Sequence, residues 1–138
     1  MALLPDTQGS ELGSPLSQGT ETSDTYKMAI EEERIKGRVK KDIEALEQAV
    51  YKALNTERYR FAIYSWNYGV ELADLFGKPI PYCMAEIPRR ITEALLVDDR
   101  ITAVEDFELS HNDGDVLCKF TVASIYGDIS FSKEVRVR

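Results

Sequence analysis

The chain has 138 residues and a formal net charge of −7, with 43% hydrophobic and 30% charged residues. This length suits one domain with its own core, and the composition is that of a soluble globular protein. The acidic balance argues against nucleic-acid binding, which needs a basic surface. No apolar run is long enough to span a membrane. No basic region followed by an apolar stretch opens the chain, so we expect no signal peptide and folding in the cytoplasm of the producing cell.

Metal and thiol chemistry find little support in the sequence. Cys83 and Cys118 are far apart and form no metal-ligand pattern. Both are predicted to be reduced thiols that face the core, with a disulfide as the alternative. His111 is the single histidine. The sequence therefore offers too few ligands for a zinc site and too few partners for a histidine-based catalytic triad. We therefore expect no cofactor.

Residues 1–23 are rich in Gly, Ser, Thr and Pro and contain no Lys or Arg. Such a segment cannot bury enough surface to offset the entropy lost on ordering. We interpret it as a flexible N-terminal arm that precedes a single domain over residues 24–138. The alternative is an arm that orders on a partner, with Leu3 and Leu4 as anchors.

A hairpin and a helix are predicted next. Apolar residues alternate from Tyr26 to Ile30 and again after the glutamates at 31–33, which predicts a β-hairpin with a solvated turn. From Asp42 the apolar residues recur at three and four positions, which predicts an amphipathic helix. Asp42 is expected to cap this helix and Asn55 to end it.

The segment over residues 56–77 is dense in aromatic residues: Tyr59, Phe61, Tyr64, Trp66, Tyr68 and Phe76. Aromatic side chains dominate both cores and interfaces, so the segment is either the centre of the core or a docking surface. No nucleophile, base and orienting group are spaced through it, which argues against a catalytic motif. Its first half is extended or helical; a turn is expected at Gly69 and a short helix over residues 70–76.

A second long helix is predicted between Tyr82 and Val97. Its exposed face carries opposite charges spaced four residues apart, provided by Glu86, Arg89, Arg90 and Glu93. Pro88 would remove a hydrogen bond from a helix interior. The helix is therefore expected to start near Glu86 or to bend at Pro88.

Three strands are predicted over residues 101–110, 115–126 and 129–137. Asp113 and Gly114 suit a tight turn between the first two. The last strand is expected at an edge of the sheet, where it either needs protection or recruits another strand. The predicted fold is α+β, with an N-terminal hairpin and helices packed on a C-terminal three-stranded antiparallel sheet.

Four motifs follow one another in a fairly specific order and spacing. They are Thr56-Glu57-Arg58-Tyr59, Ile63-Tyr64-Ser65-Trp66, Tyr68-Gly69 with Leu72 to Phe76, and Asp98-Asp99-Arg100-Ile101. Over residues 25–138 they resemble the sheath initiators of contractile-tail baseplates, the gene-25-like family, and most of all its XkdS-like branch of phage baseplate wedge proteins. The resemblance implies a non-enzymatic structural protein of a contractile phage tail or phage-tail-like particle.

The resemblance also implies a wedge-binding site. In the wider family a Glu-Pro-Arg triplet at the helix-to-strand junction marks contacts with the central wedge proteins. Asp98, Asp99 and Arg100 occupy the matching positions, with the arginine kept and the proline replaced. The implied wedge contacts are Asp98, Arg100, Glu57 and Arg58. The alternative is an ion pair between Asp98 and Arg100 that closes the end of the helix.

A second implied site is the last strand. Sheath subunits of the family add strands to the initiator's sheet, which assigns strand-addition contacts to Ser130, Ser132, Glu134, Arg136 and Arg138. The protein would then lie in the virion tail baseplate in multiple copies. Its partners would be the tail sheath subunit, baseplate wedge proteins and possible tube or hub proteins, with no nucleic acid and no membrane.

Two other functions stay open. Some members of the family are labelled lysozyme-like, and a glycoside hydrolase acting on peptidoglycan needs two carboxylates across one sugar bond, one of them with a raised pKa. Glu57, with Asp74 or Asp98 as the second acid, is the candidate pair. A generic adaptor of an unrelated secretion machine would differ from a sheath initiator mainly in its partners.

Overall fold

The computed structural model describes residues 24–138, and the arm assigned to residues 1–23 lies outside the described residues. The elements are β1 (Tyr26–Ala29), β2 (Arg34–Arg38), α1 (Asp42–Leu54), α2 (Ile80–Leu95), β3 (Ile101–Asn112), β4 (Asp115–Ser124) and β5 (Gly127–Arg136). β1 pairs with β2, and β3, β4 and β5 form an antiparallel meander in that order. The predicted α+β fold is confirmed.

One face of the meander carries the core. Because successive side chains of a strand point to opposite faces, alternate residues of β4 are buried: Val116, Cys118, Phe120 and Val122. α2 packs against β3 and β4, and α1 packs against β5. The rings of Phe107 and Phe131 stack on either side of Phe120, with centroids 5.5 and 5.9 Å away. This row of rings joins all three strands on the helix side.

α1 buries the apolar stripe that the sequence predicted, including Leu46, Val50 and Leu54. Lys41 occupies the N-cap position, so the prediction that Asp42 caps the helix is wrong. Asp42 lies instead in the first turn, where a carboxylate interacts favourably with the helix dipole. Asn55 ends the helix as predicted, and its side-chain amide donates to the carbonyl of Tyr51 at 2.8 Å.

The predicted hairpin is confirmed, and α1 holds it through one side chain. Gln48 accepts a hydrogen bond from the amide of Met28 at 2.8 Å and donates one to the carbonyl of Tyr26 at 2.7 Å. The amide group of Gln48 therefore pairs with β1 much as a neighbouring strand would. The glutamates at 31–33 lie exposed in the turn, as predicted.

α2 runs without a break from Ile80 through Pro88 to Leu95, so the predicted start near Glu86 is wrong. Pro81 lies in its first turn, where a missing N–H costs no hydrogen bond. An interior proline costs about 3 kcal/mol, whereas burying one large aliphatic side chain contributes about 1.5–3 kcal/mol. Burial therefore outweighs the proline, because the helix buries Cys83, Ile87, Ile91, Ala94 and Leu95.

Both turns of the meander are tight. Asp113 and Gly114 have φ of 42° and 100°, the positive values that a two-residue hairpin turn requires, so this prediction is confirmed. The next turn consists of Ile125 and Tyr126, because Ser124 pairs directly with Gly127.

The two cysteines are free and buried, as predicted. Burial raises the pKa of the Cys118 thiol to about 11 and also raises that of Cys83. Within residues 24–138, no helix combines the length and the hydrophobicity that crossing a bilayer would take.

Candidate docking surfaces

β5 is an outer strand of the meander, with β4 on one side and, within residues 24–138, no strand on the other. The amide of Val137 donates to the carbonyl of Gly114 at 2.8 Å, one step beyond the pair of Asp115 and Arg136. Positions that bond to the partner strand alternate with positions that do not. The odd-numbered residues of β5 therefore bond to β4, and the even-numbered residues direct their N–H and C=O groups outward.

Four of the predicted strand-addition residues lie along this outer edge: Ser130, Ser132, Glu134 and Arg136. The fifth, Arg138, lies two residues beyond the end of the strand, and all five are exposed. The side chains between them point into the core side, where Val135 and Val137 are buried. Lys133 shares that side, and its ammonium group donates to Asn55 Oδ1 at 3.1 Å. Burial lowers the pKa of Lys133.

At the end of α2, the implied wedge residues Asp98 and Arg100 bind each other. Arg100 Nε donates to Asp98 Oδ1 at 2.9 Å, and Arg100 Nη2 donates to Asp98 Oδ2 at 2.7 Å. The Arg100 side chain is only 14% exposed. Burial acts to raise the pKa of Asp98, but the hydrogen bonds from Arg100 outweigh it, so the pKa is lowered overall. The ion pair between Asp98 and Arg100, the alternative to a wedge contact, is therefore present.

Glu57 and Arg58 also have partners within the chain. The Glu57 carboxylate accepts hydrogen bonds from the amides of Leu72 and Ala73 at 3.2 Å. Arg58 Nε donates to the carbonyl of Gly69 at 3.3 Å, and its Nη1 lies 3.4 Å from Glu93 on α2. Through these hydrogen bonds, Glu57 and Arg58 connect the start of the aromatic segment to residues 69–73 in its second half.

A cleft of about 360 Å³ lies between α1 and the end of α2. Asp98 and Arg100 line it together with Asn67 and Tyr68. Glu57 and Arg58 are not part of this lining, so the four implied wedge residues do not meet in one cleft.

Residues 59–68, which we name the aromatic loop, are neither extended nor helical but form consecutive turns. Tyr64 donates its amide to Phe61, and Tyr68 to Ser65, at 3.3 and 3.1 Å. The loop closes at its base, where Glu57 forms a bridge with Val70. The helix expected over residues 70–76 shrinks to a single 3-10 turn at Ala73–Leu75.

The aromatic loop faces solvent, so it is not the centre of the core. Ile63 is 85% exposed, Trp66 78% and Tyr59 58%. The rings pack on one another instead, with centroid distances of 5.4 Å between Tyr59 and Trp66 and 4.5 Å between Tyr64 and Tyr68. Of the two interpretations of the segment, a docking surface is the one that fits its first half. The second half joins the core through Val70, Leu72 and Leu75.

A second groove, of about 320 Å³, lies between the aromatic loop and β5. Arg60 and Phe61 form one wall of it, and Glu134 and Arg136 form the other. Its lining also includes the apolar residues Leu54, Leu72 and Val135. No sequence pattern predicts this groove, because its two walls are more than seventy residues apart along the chain.

The position of Arg90 differs from the one predicted. The charge pattern predicts Arg90 on the exposed face of the helix, but the residue is only 8% exposed. Its guanidinium donates to Asp74 and, at 2.9 Å, to the carbonyl of Glu71. Burial acts to lower the pKa of Arg90, but the hydrogen bonds that it donates to Asp74 and Glu86 outweigh this effect and raise the pKa overall. Arg90 thereby joins α2 to the segment that follows the aromatic loop.

The acids of the glycoside hydrolase alternative are held in these same contacts. Glu57 binds backbone amides, Asp74 binds Arg90 and Asp98 binds Arg100. A general acid needs a raised pKa, whereas that of Asp98 is lowered. Glu57 and Asp98 line different clefts. The arrangement therefore gives no support to a pair of carboxylates across one sugar bond.

Comparison with known proteins identifies the family of the chain. The family model for the contractile injection system sheath initiator matches residues 13–127. The phage-like element PBSX protein XkdS of Bacillus subtilis (strain 168) is 39% identical over 138 residues, which cover 98% of this chain and 97% of that protein.

A solved structure shares the fold. The crystal structure of a proposed tail lysozyme from Geobacter sulfurreducens superposes with a TM-score of 0.60 and 15% identity, over 72% of this chain and 95% of that one. At this identity the likeness concerns the fold and not the activity. The family match and the identity to XkdS together establish that the chain belongs to the contractile injection system sheath initiator family and has a structural role in a phage-type tail.

Proposed function

We propose that this chain joins the baseplate wedge to the first ring of sheath subunits and initiates sheath assembly by accepting a strand of the sheath along β5. The observation that carries the proposal is the open outer edge of that strand. Four even-numbered residues from Ser130 to Arg136 direct backbone donors and acceptors outward, and their side chains are exposed.

Strand addition draws its affinity from main-chain hydrogen bonds to such an edge. An edge that is not used for binding is commonly blunted by proline, by bulges or by a very short strand. β5 has ten residues, contains no proline and pairs with β4 without an irregularity in register. β3, the other outer strand, carries two register shifts, between Ile101 and Ala103 and between Glu105 and Glu108. The open edge of β5 is thus the better template.

Family membership supports the remaining parts of the proposal. The chain would act in the baseplate, in several copies around the tail tube, and assemble there after folding in the bacterial cytoplasm. Asp98, Arg100, Glu57 and Arg58 would face the wedge proteins, and the domain would span residues 24–138. This role needs no catalytic group.

The test uses one substitution that removes an outward N–H and leaves the bonds to β4 in place. Ser132 lies opposite Lys119 at an outward position, so Ser132→Pro deletes a donor from the free edge only. Ser132→Ala is the matched control, because it removes the hydroxyl and keeps the N–H. Affinity for the purified sheath subunit of the same particle is measured for both, with circular dichroism as the check on folding.

We expect Ser132→Pro to lose sheath binding and to keep wedge binding, and Ser132→Ala to bind both partners like the unaltered chain. Sheath binding by a folded Ser132→Pro variant at unaltered affinity would refute strand addition along β5. Failure of the unaltered chain to bind either partner would refute the proposed function as a whole.

A further inference from the structure

We infer that the groove between the aromatic loop and β5 is a specificity pocket for the incoming sheath strand, and that it takes a large apolar side chain with a carboxylate close to it in sequence. The inference rests on the proposed strand addition and adds a side-chain site to it. In strand addition, pockets for alternate side chains supply the specificity that backbone bonds lack.

The position of the groove supports this assignment. Glu134 and Arg136, two of the residues with outward backbone groups, are part of its lining, and so is Val135 between them. Side chains that face each other across paired strands lie on the same face of the sheet. The residue of an added strand that faces Val135 therefore directs its side chain over the groove.

The size and lining of the groove select an apolar side chain. Its volume of about 320 Å³ admits one large side chain. Buried Leu54, Leu72 and Val135 contribute to the lining. Phe61, 48% exposed, supplies an aromatic wall that a second apolar group would cover.

The charges in the groove favour a carboxylate beside that side chain. Arg60, Lys133 and Arg136 line the groove, and none of the three forms an ion pair with an Asp or Glu side chain of residues 24–138. Arg136 Nε donates to the main-chain oxygen of Arg138 at 3.1 Å. The lining contains two acids, Glu57 and Glu134. The carboxylate of Glu57 is occupied by backbone amides. Arg60 lies over the ring of Phe61 at 5.6 Å, so the charge and the apolar wall meet at one point.

The aromatic wall is held in place before any partner arrives. Glu57 and Arg58 fix the base of the loop through the contacts described above. Tyr59, the next residue, has a φ of 68°, a value that non-glycine residues adopt at a cost and that recurs at binding sites. A wall that is already positioned saves the entropy of ordering it on binding.

The experiment measures the affinity of the intact chain for the purified sheath subunit with three substitutions. Phe61→Ser removes the aromatic wall, Arg60→Glu reverses the charge, and Ile63→Ser is the control on the same loop, 85% exposed and outside the groove lining. We expect Phe61→Ser to weaken binding at least ~10-fold and Arg60→Glu to weaken it at least ~10-fold, the range of moderate hot-spot residues. Ile63→Ser should leave the affinity unchanged.

The outcomes separate the two proposals. If Ser132→Pro abolishes sheath binding while folded Phe61→Ser and Arg60→Glu bind normally, strand addition stands and the pocket is wrong. If Ser132→Pro binds normally, strand addition along β5 is wrong, and the pocket is wrong with it. A salt titration adds a second measurement. Added salt should weaken sheath binding less steeply for Arg60→Glu than for the unaltered chain, and an equal salt dependence would count against a carboxylate on the sheath strand.

Sedimentation of the chain alone tests whether a second copy of the chain fills the groove instead. Self-association that is lost in Phe61→Ser would assign the groove to that second copy.

Discussion

Asp98 and Arg100 form a two-pronged ion pair across a single intervening residue, with both N–H···O distances below 3 Å. The pair also satisfies the amide of Arg100, which donates to Asp98 Oδ1 at 3.0 Å. The same two residues that the family resemblance assigns to the wedge therefore brace the junction between α2 and β3. Any substitution here acts on the fold as well as on a partner.

The first prediction separates those two effects. Arg100→Ala leaves a partly buried carboxylate without its partner and should lower the free energy of unfolding by roughly 2 kcal/mol. The double variant Asp98→Ala/Arg100→Ala leaves no lone charge and should cost less than the sum of the single variants. Urea unfolding measures the stability of all three. If the folded double variant binds the wedge protein with unaltered affinity, the pair is structural only.

The same pair gives a pH dependence. Because the pKa of Asp98 is lowered in the folded state, its contribution to stability is present above the ordinary carboxyl pKa and is lost as pH falls through the lowered value. Asp98→Asn should flatten that part of the acid unfolding curve. An acid curve of unchanged slope in the variant would show that other carboxyls dominate.

Arg90 provides the third prediction, with Arg89 as its natural control. Arg90→Leu removes the link from α2 to Asp74 and to the Glu71 carbonyl, and should cost about 2 kcal/mol. This is less than the 3–5 kcal/mol of a fully buried pair, because Asp74 is itself exposed to solvent. Arg89 is 60% exposed in its side chain, so Arg89→Leu should change stability by less than ~0.5 kcal/mol. Equal effects of the two substitutions would contradict the role assigned to Arg90.

Gly69 provides the next prediction, with Gly77 as its control. Both have positive φ, 94° and 82°, but a Cβ on Gly69 would lie 2.6 Å from the carbonyl oxygen of Thr56, whereas a Cβ on Gly77 would meet nothing within 4 Å. Gly77→Ala should cost about 1 kcal/mol from backbone strain alone. Gly69→Ala adds a clash with the base of the aromatic loop and should cost about 3 kcal/mol. Thermal unfolding of the two variants is the measurement, and a milder effect at Gly69 would argue against the close approach.

The thiols provide the last prediction. Since the pKa of Cys118 is raised to about 11 in the folded state, its contribution to stability is present below the ordinary thiol pKa and is lost as pH rises towards 11. Cys118→Ala should be less stable near neutral pH, because it leaves a small cavity, yet lose less stability between about pH 8.5 and 10. Neither cysteine should react with a thiol reagent until the protein unfolds. Rapid labelling of the native protein would contradict the burial of both.

The sequence predicts those parts of the fold whose local pattern and packing agree. α1 and β4 each carry one clean period, and Asp113-Gly114 demands one type of turn, so all three are found where expected. α2 departs from its expected start because the burial of Ile87, Ile91 and Leu95 outweighs the cost of Pro88. A local sequence pattern does not show which of these two free energies is larger. The turns of the aromatic loop are set by the bridge between Glu57 and Val70, a contact that local periodicity does not contain.

The candidate sites also divide into those that the sequence predicts and those that depend on contacts between distant residues. The open edge of β5 follows from its place at the end of a meander, which the order of strands already indicates. The groove behind it requires Phe61 and Glu134 to approach each other, and Arg90 reaches Asp74 only when α2 folds back on the 3-10 turn. A signal for Arg90 was nonetheless present, because it lies three residues after Ile87 and four before Ala94, at the border of the apolar stripe.

The exposure of Trp66 has a practical consequence. It is the single tryptophan of the sequence, and its indole lies on the aromatic loop at 78% exposure rather than in the core. Its fluorescence emission is therefore already that of a water-exposed indole in the native protein, so urea unfolding should shift the emission maximum very little. A partner that covers the loop should shift it to shorter wavelength. The molecule thus carries a built-in optical probe that responds to assembly and stays nearly silent to unfolding.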